Sequence, residues 1–231
     1  MEPSYGDVRK TVYSKDEMKD KKILYITDVE GNDTYFEHIV KRSKGLFRDA
    51  DGKLELRSGY FLVYGGDVCD RGKGDLRITS DLVQLTKKYP DRVHIILGNR
   101  DINKIRLCTE LQAQHLKTKL KVFWIDGKDL QEPDIAAGMP PCSRATRLHT
   151  ILEGTMGAPG AFQYRIEELL EMGIIQDHMS ATEKDQLVVE SFLSSMEPGG
   201  CMLELLRLGT LGLLLGKCSD GVQPMFMLLC S

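Results

Sequence analysis

Three short apolar runs punctuate the first hundred residues, and each breaks off abruptly into polar residues. Lys22-Ile23-Leu24-Tyr25-Ile26-Thr27 ends at Asp28, Tyr60-Phe61-Leu62-Val63-Tyr64 ends in Gly65-Gly66-Asp67, and Val93-His94-Ile95-Ile96-Leu97 ends at Gly98-Asn99. Short continuous apolar runs bounded by turn residues predict buried strands. Between them the apolar spacing changes to that of a helix. Residues 33–44 carry Tyr35, Phe36, Ile39 and Val40, with Asp33 placed as N-cap. Residues 75–89 carry Leu76, Ile78, Leu82, Val83 and Leu85, and Pro90 stops that helix. Asp49-Ala50-Asp51-Gly52 is a turn signal. A third helix is expected over 101–117, with Asp101 capping its start.

Strand and helix thus alternate over 22–117, which predicts an α/β fold with a largely parallel sheet flanked by helices. Residues 128–160, rich in Pro, Gly and Ala, read as an excursion. Helices follow near 161–173 and 181–196, then Pro198-Gly199-Gly200 and an apolar tail that is either core or an exposed sticky end. Residues 1–21 are polar and read as a loose arm. The rest, 22–231, is expected to be one domain with a helical excursion over about 128–196.

Composition narrows the function classes. The chain has 231 residues, 28% charged and 42% hydrophobic, which suits a globular protein with a sizeable core. A formal net charge of −3 and the lack of a basic run interleaved with aromatics argue against general affinity for nucleic acid or anionic membrane. The start has no apolar core of a signal peptide. The most apolar stretch, 203–215, holds Glu204 and Arg207 and is too short to span a bilayer. The six cysteines are scattered without a CxxC pair, so free thiols and a cytoplasmic location are expected. His38, His94, His115 and His178 read as surface or structural residues. Cys69 reads as a small packed side chain, because no base lies near it in sequence.

In a parallel sheet, functional groups gather beyond the carboxyl ends of the strands. Asp28, Glu30, Asp67 and Asp70 all follow strand runs, and Asn99 adds a neutral amide oxygen. Carboxylates crowded at one sheet edge repel each other unless a cation neutralises them. Oxygen donors suit Mg²⁺ or Mn²⁺. Gly65, Gly66, Gly72 and Gly98 allow tight turns and close backbone approach. Arg71 and Arg100 are planar donors suited to phosphate oxygens.

Three segments, Asp28-Val29-Glu30-Gly31-Asn32, Gly65-Gly66-Asp67-Val68-Cys69-Asp70-Arg71-Gly72 and Gly98-Asn99-Arg100-Asp101, come in the order and at the strand ends of the calcineurin-like metallophosphoesterase family. The chain resembles that family well over roughly 22–105 and weakly beyond, and it leans toward the serine/threonine phosphatase and bis-nucleoside tetraphosphatase branch. The resemblance implies a sheet sandwich flanked by helices and hydrolysis of a phosphate ester by a metal-bridging water. It implies two divalent ions (Mn, Fe, Zn or Mg), and a phosphorylated small molecule or phosphoprotein as substrate. It places Asp28 on the first metal, Asp67 between the two, Asn99 on the second and Arg71 on the phosphoryl group.

The chain departs from the family pattern at several positions. Glu30 stands where the family has a histidine ligand, so it is either a carboxylate ligand or a solvated side chain. Arg100 stands where the family has the histidine that protonates the leaving group. Arginine does not release its proton, so Arg100 either contacts the phosphoryl group or pairs with Asp70 or Asp101. Asp70, in the family, orients that histidine. The later histidine motifs of the family have no match after residue 101, since His115, His149 and His178 are followed by Leu116, Thr150 and Met179. The expected C-terminal half is therefore incomplete, as in a shortened form. A catalytically weak member that acts as a binding or regulatory module is the rival reading.

Overall fold

A computed structural model describes residues 20–116, 143–215 and 225–227. The strand β4 (Tyr60–Tyr64), counted in chain order, is the centre of the main sheet. Phe61, Leu62, Val63 and Tyr64 are all buried, as expected for a strand covered on both faces. It pairs in parallel with β1 (Lys22–Ile26) on one side and β5 (Val93–Ile95) on the other. The order β1-β4-β5 brings the three chain reversals after these strands to one edge. Ile96 extends that edge through a parallel bridge to Thr210.

The first strand differs from expectation. Only Ile26 of β1 is buried, while Ile23 is 42% and Tyr25 54% exposed. It is an edge strand with one covered face. Its unbroken apolar run reflects the preference of β-branched and aromatic residues for strands, which does not require burial on both sides.

Between β1 and β4 run α1 (Asp33–Arg42) and a hairpin of β2 (Leu46–Arg48) and β3 (Leu54–Leu56) around the expected turn. Asn32, not Asp33, caps α1: its side chain accepts from the Tyr35 amide at 2.9 Å. Asp33 instead accepts from the next amide, Thr34, at 2.7 Å. Helix α2 (Asp75–Lys88) leads to β5, as expected. Phe36 and Val40 of α1 and Ile78, Leu82 and Leu85 of α2 bury against Leu62 and Tyr64 in one core.

The helix expected over 101–117 is broken into pieces. It consists of α3 (Asn99–Asn103), a 3₁₀ turn (Lys104–Arg106) and α4 (Leu107–Glu110). Gly98 occupies the N-cap position and Asp101 lies three residues inside, its carboxylate accepting from the Gly98 amide at 2.9 Å. Asp101 thus reaches back from inside the first turn to the N-cap amide and is not the cap itself.

The second half is helical. It contains α5 (Arg144–Thr150), a π turn (Ile151–Thr155), α6 (Ala161–Glu171), α7 (Ala181–Ser195) and α8 (Cys201–Leu208). Ser180 and Glu183 form a capping box that starts α7. Leu148, Ile151, Phe162, Val188 and Phe192 make a second core with Leu107 and Leu111. Helix α8 returns to pack on α2, where Lys87 pairs with Glu204 at 2.6 Å. Strands β6 (Leu213–Leu215) and β7 (Met225–Met227) form a separate antiparallel pair. Most of the expected N-terminal arm, residues 117–127, residues 128–142 of the expected excursion and much of the apolar tail lie outside the described residues. Among the described residues no helix is long and apolar enough to cross a membrane.

Candidate active site

The loops after β1 and β4 are zipped together by backbone hydrogen bonds. The amides of Asp28, Glu30 and Gly31 donate to the carbonyls of Gly66 (3.1 Å), Asp67 (3.0 Å) and Val68 (2.6 Å). In return the Arg71 amide donates to the Glu30 carbonyl at 2.7 Å. The loop after β5 joins through one side chain. The buried Asp101 carboxylate accepts from the amides of Asp67 and Val68, both at 3.0 Å, as well as from Gly98. Burial pushes this carboxyl up to about 6, against the lowering effect of those amides.

The backbone carries strain where the carboxylates sit. Among the described residues the non-glycine positions with positive φ are Asp20, Asp28 (51°), Glu30 (51°), Asp67 (53°) and Asp70 (94°). Apart from Asp20, these are the four carboxylates singled out from the sequence. Left-handed backbone at non-glycine residues costs energy and persists where surrounding structure enforces it, most often at functional sites.

Gly98 permits the closest approach in the site. A Cβ there would lie 2.0 Å from Asp67 Oδ1 and 2.4 Å from the Asp67 amide nitrogen. Gly98→Ala is expected to push Asp67 out of place and cost about 1–3 kcal/mol, the usual cost of overpacking. A urea titration checks this, and an unchanged midpoint would contradict it.

The side chains fall into two groups. In the upper group Glu30 is gripped by two guanidinium groups. Arg100 Nε lies 3.1 Å from Oε1 and Arg71 Nη1 lies 3.1 Å from Oε2. Arg100 is nearly buried and its Nη1 donates to the Met156 carbonyl at 3.0 Å, so the helical half helps to fix it. Arg71 is 57% exposed and leaves most of its fork open to solvent. The Arg100 amide donates to Asp67 Oδ1 at 3.1 Å, while Asp67 Oδ2 lies 4.0 Å from Arg100 Nε. Burial, and secondarily the nearby Asp28 charge, push the Asp67 carboxyl up against the lowering effect of Arg100. Asp28 accepts from Thr27 Oγ1 at 2.5 Å. Asn99 stands exposed at the start of α3.

Below this group lies a fully buried ion pair. Lys104 Nζ sits 2.6 Å from Asp70 Oδ2 and 3.4 Å from the Arg100 carbonyl oxygen. The Asp70 amide donates to Asp75 Oδ1 at 3.0 Å. Arg100 is therefore tied to Glu30, and Lys104 takes the Asp70 place that the sequence left open to Arg100. The sequence reading missed Lys104. Its signal was the spacing: four residues after Arg100, it returns to the same helical face. Cys69 is wholly buried beside Thr79 and burial raises its thiol well above the usual range, so it packs and does not react.

A divalent cation would find hard oxygen donors on Asp28, Asp67 and Asn99, and that donor set suits it. Glu30 is different. Two unit charges 4 Å apart interact by about 4 kcal/mol at an effective dielectric of 20, and a divalent ion beside one guanidinium would feel about twice that in repulsion. The two arginines thus make Glu30 a poor fit as a ligand. Among the described residues no group of three His, Cys, Asp or Glu side chains is arranged to hold a metal ion.

Residues 21–192 match the calcineurin-like phosphoesterase family model, well over half of the chain. The chain belongs to that family. Comparison with curated proteins finds no match. Among solved structures, a serine/threonine phosphatase from Saccharomyces cerevisiae, described as similar to human phosphatase PP5, aligns with 19% identity and a TM-score of 0.29. That alignment covers 36% of this chain and 23% of the yeast one. Membership of the family supports phosphate-ester chemistry in general, and the α/β sheet with its loops at one edge agrees with it.

Proposed function

We propose that this chain is a metal-dependent phosphoric ester hydrolase whose site is built from the loops after β1, β4 and β5. The observation that carries this reading is the strained backbone of Asp28, Glu30, Asp67 and Asp70 in the loops at one sheet edge, beside an exposed Arg71. Asp28, Asp67 and Asn99 would hold the metal. Divalent ions in such sites lower the pKa of water and neutralise charge growing on phosphorus. The chain's own residues supply the rest. Arg71 offers its open fork to the non-bridging phosphoryl oxygens. Arg100 adds a fixed positive charge beside Asp67 but cannot protonate the leaving group. Asp70 and Lys104 hold the Arg100 carbonyl, and so the start of α3, in place. The substrate class is a phosphorylated small molecule or a phosphoprotein.

The test is Mn²⁺-dependent hydrolysis of para-nitrophenyl phosphate. Asp67→Asn is expected to lower kcat by more than the roughly 10–100-fold typical of losing a partner outside the metal's direct ligands. Equal turnover by the folded variant would overturn the assignment. A second reading, a binding module with little turnover, is favoured by Arg100 standing in the acid position. It predicts that the chain binds phosphate without hydrolysing the ester.

A further inference from the structure

We propose that the Glu30–Arg100–Arg71 clamp stands in for one of the two cations expected at this site, so the Glu30 position admits no divalent ion. This rests on the metal-dependent reading above and sharpens it. Both Glu30 oxygens are already satisfied by guanidinium groups, at 3.1 Å each. Arg100 is not free to withdraw. Its Nη1 is bonded to the Met156 carbonyl, its main-chain amide to Asp67 and its carbonyl to the buried Lys104. Glu30 faces two guanidinium groups at contact distance, while the next carboxylate, Asp67, has its Oδ2 farther from Arg100 Nε, at 4.0 Å. The positive charge is therefore covalently part of the chain and fixed by α3 and by the turn before α6. The ion is left to Asp28 and Asp67, whose Oδ2 has a longer contact to Arg100 Nε (4.0 Å) than Glu30 has (3.1 Å).

The test is ion stoichiometry. Wild-type protein dialysed against Mn²⁺, then freed of unbound metal, is analysed for metal content per chain, alongside Glu30→Gln. At most one ion in the wild type, with no ion lost in Glu30→Gln, is the expected result. Two ions in the wild type, or one fewer in Glu30→Gln, would overturn the proposal. The wild-type count decides the matter even where Glu30→Gln does not fold, since two guanidinium groups then face each other without their carboxylate. A count of zero supports the closed Glu30 position while sinking the metal-dependent hydrolysis proposed above, whereas one bound ion with no turnover sinks only the hydrolysis.

Discussion

Lys104→Met lowers the unfolding free energy by about 3–5 kcal/mol, the usual cost of stripping one partner from a buried ion pair. Both members are nearly inaccessible: side-chain exposure is 2% for Lys104 and 0% for Asp70. Asp70 has no alternative donor, because its Oδ1 is buried and already lacks a hydrogen-bond partner. Methionine matches the length of the lysine stem, so little packing is lost and the cost is electrostatic. Urea denaturation reads it as a lower midpoint at unchanged slope. Asp70→Asn in the same chain removes the stranded charge and is expected to restore much of the loss, since deleting a whole buried pair is often close to neutral. A single variant within about 0.5 kcal/mol of wild type, the scatter of ordinary surface substitutions, would show that water reaches Asp70. The variant also frees the Arg100 carbonyl, so the phosphate-ester hydrolysis proposed for this chain is expected to fall even under conditions where it stays folded.

The sequence reading succeeded where local patterning and burial agree. Strands β4 and β5 and helices α2, α6 and α7 fall within a few residues of expectation because their apolar spacing matches the faces they bury. It failed where a distant group decides. Whether Ile23 and Tyr25 are covered depends on what lies beyond β1, which their own β-preference does not encode. The break of the helix after Asn103 goes with Asp101 turning its carboxylate toward the loop of Asp67 and Val68, thirty-odd residues away in sequence. The site shows the same division. Seven candidate residues come from motif order and strand ends, and the structure brings four of them, Glu30, Asp67, Arg71 and Arg100, into one connected group. Which arginine meets which carboxylate was not legible. The choice of Glu30 over Asp70 turns on Lys104 and on the Met156 carbonyl, and neither belongs to the three motifs.

Arg165→Met is expected to cost a comparable 3–5 kcal/mol by the same mechanism, and to do so at the seam between the two cores. Arg165 on α6 is 2% exposed and faces two buried carboxylates, Asp75 Oδ2 at 3.4 Å and Glu168 Oε2 at 3.3 Å. Its Nη1 donates to Ser191 at 3.1 Å and its guanidinium lies 4.1 Å from the Phe192 ring centre. Glu168 in turn accepts from the amides of Leu76 and Arg77 in the first turn of α2, where a carboxylate complements the helix dipole. One guanidinium thus joins α6, α7 and α2. The pH dependence separates this from simple loss of packing. Burial pushes the Asp75 carboxyl up to about 7, with Arg165 and Lys104 pulling it down and Asp70 and Glu168 pushing it up. A carboxyl raised in the folded state favours folding when protonated, so its contribution is complete below about pH 4 and is lost as pH rises toward 7. Without Arg165 the folded value rises further and the loss continues above pH 7. The difference between variant and wild type is therefore expected to grow between about pH 6 and pH 8, as read by urea midpoints. A gap that stays constant over that range would mean that Arg165 acts through Phe192 and packing alone, because Asp75 and Glu168 are the acidic groups it pairs with.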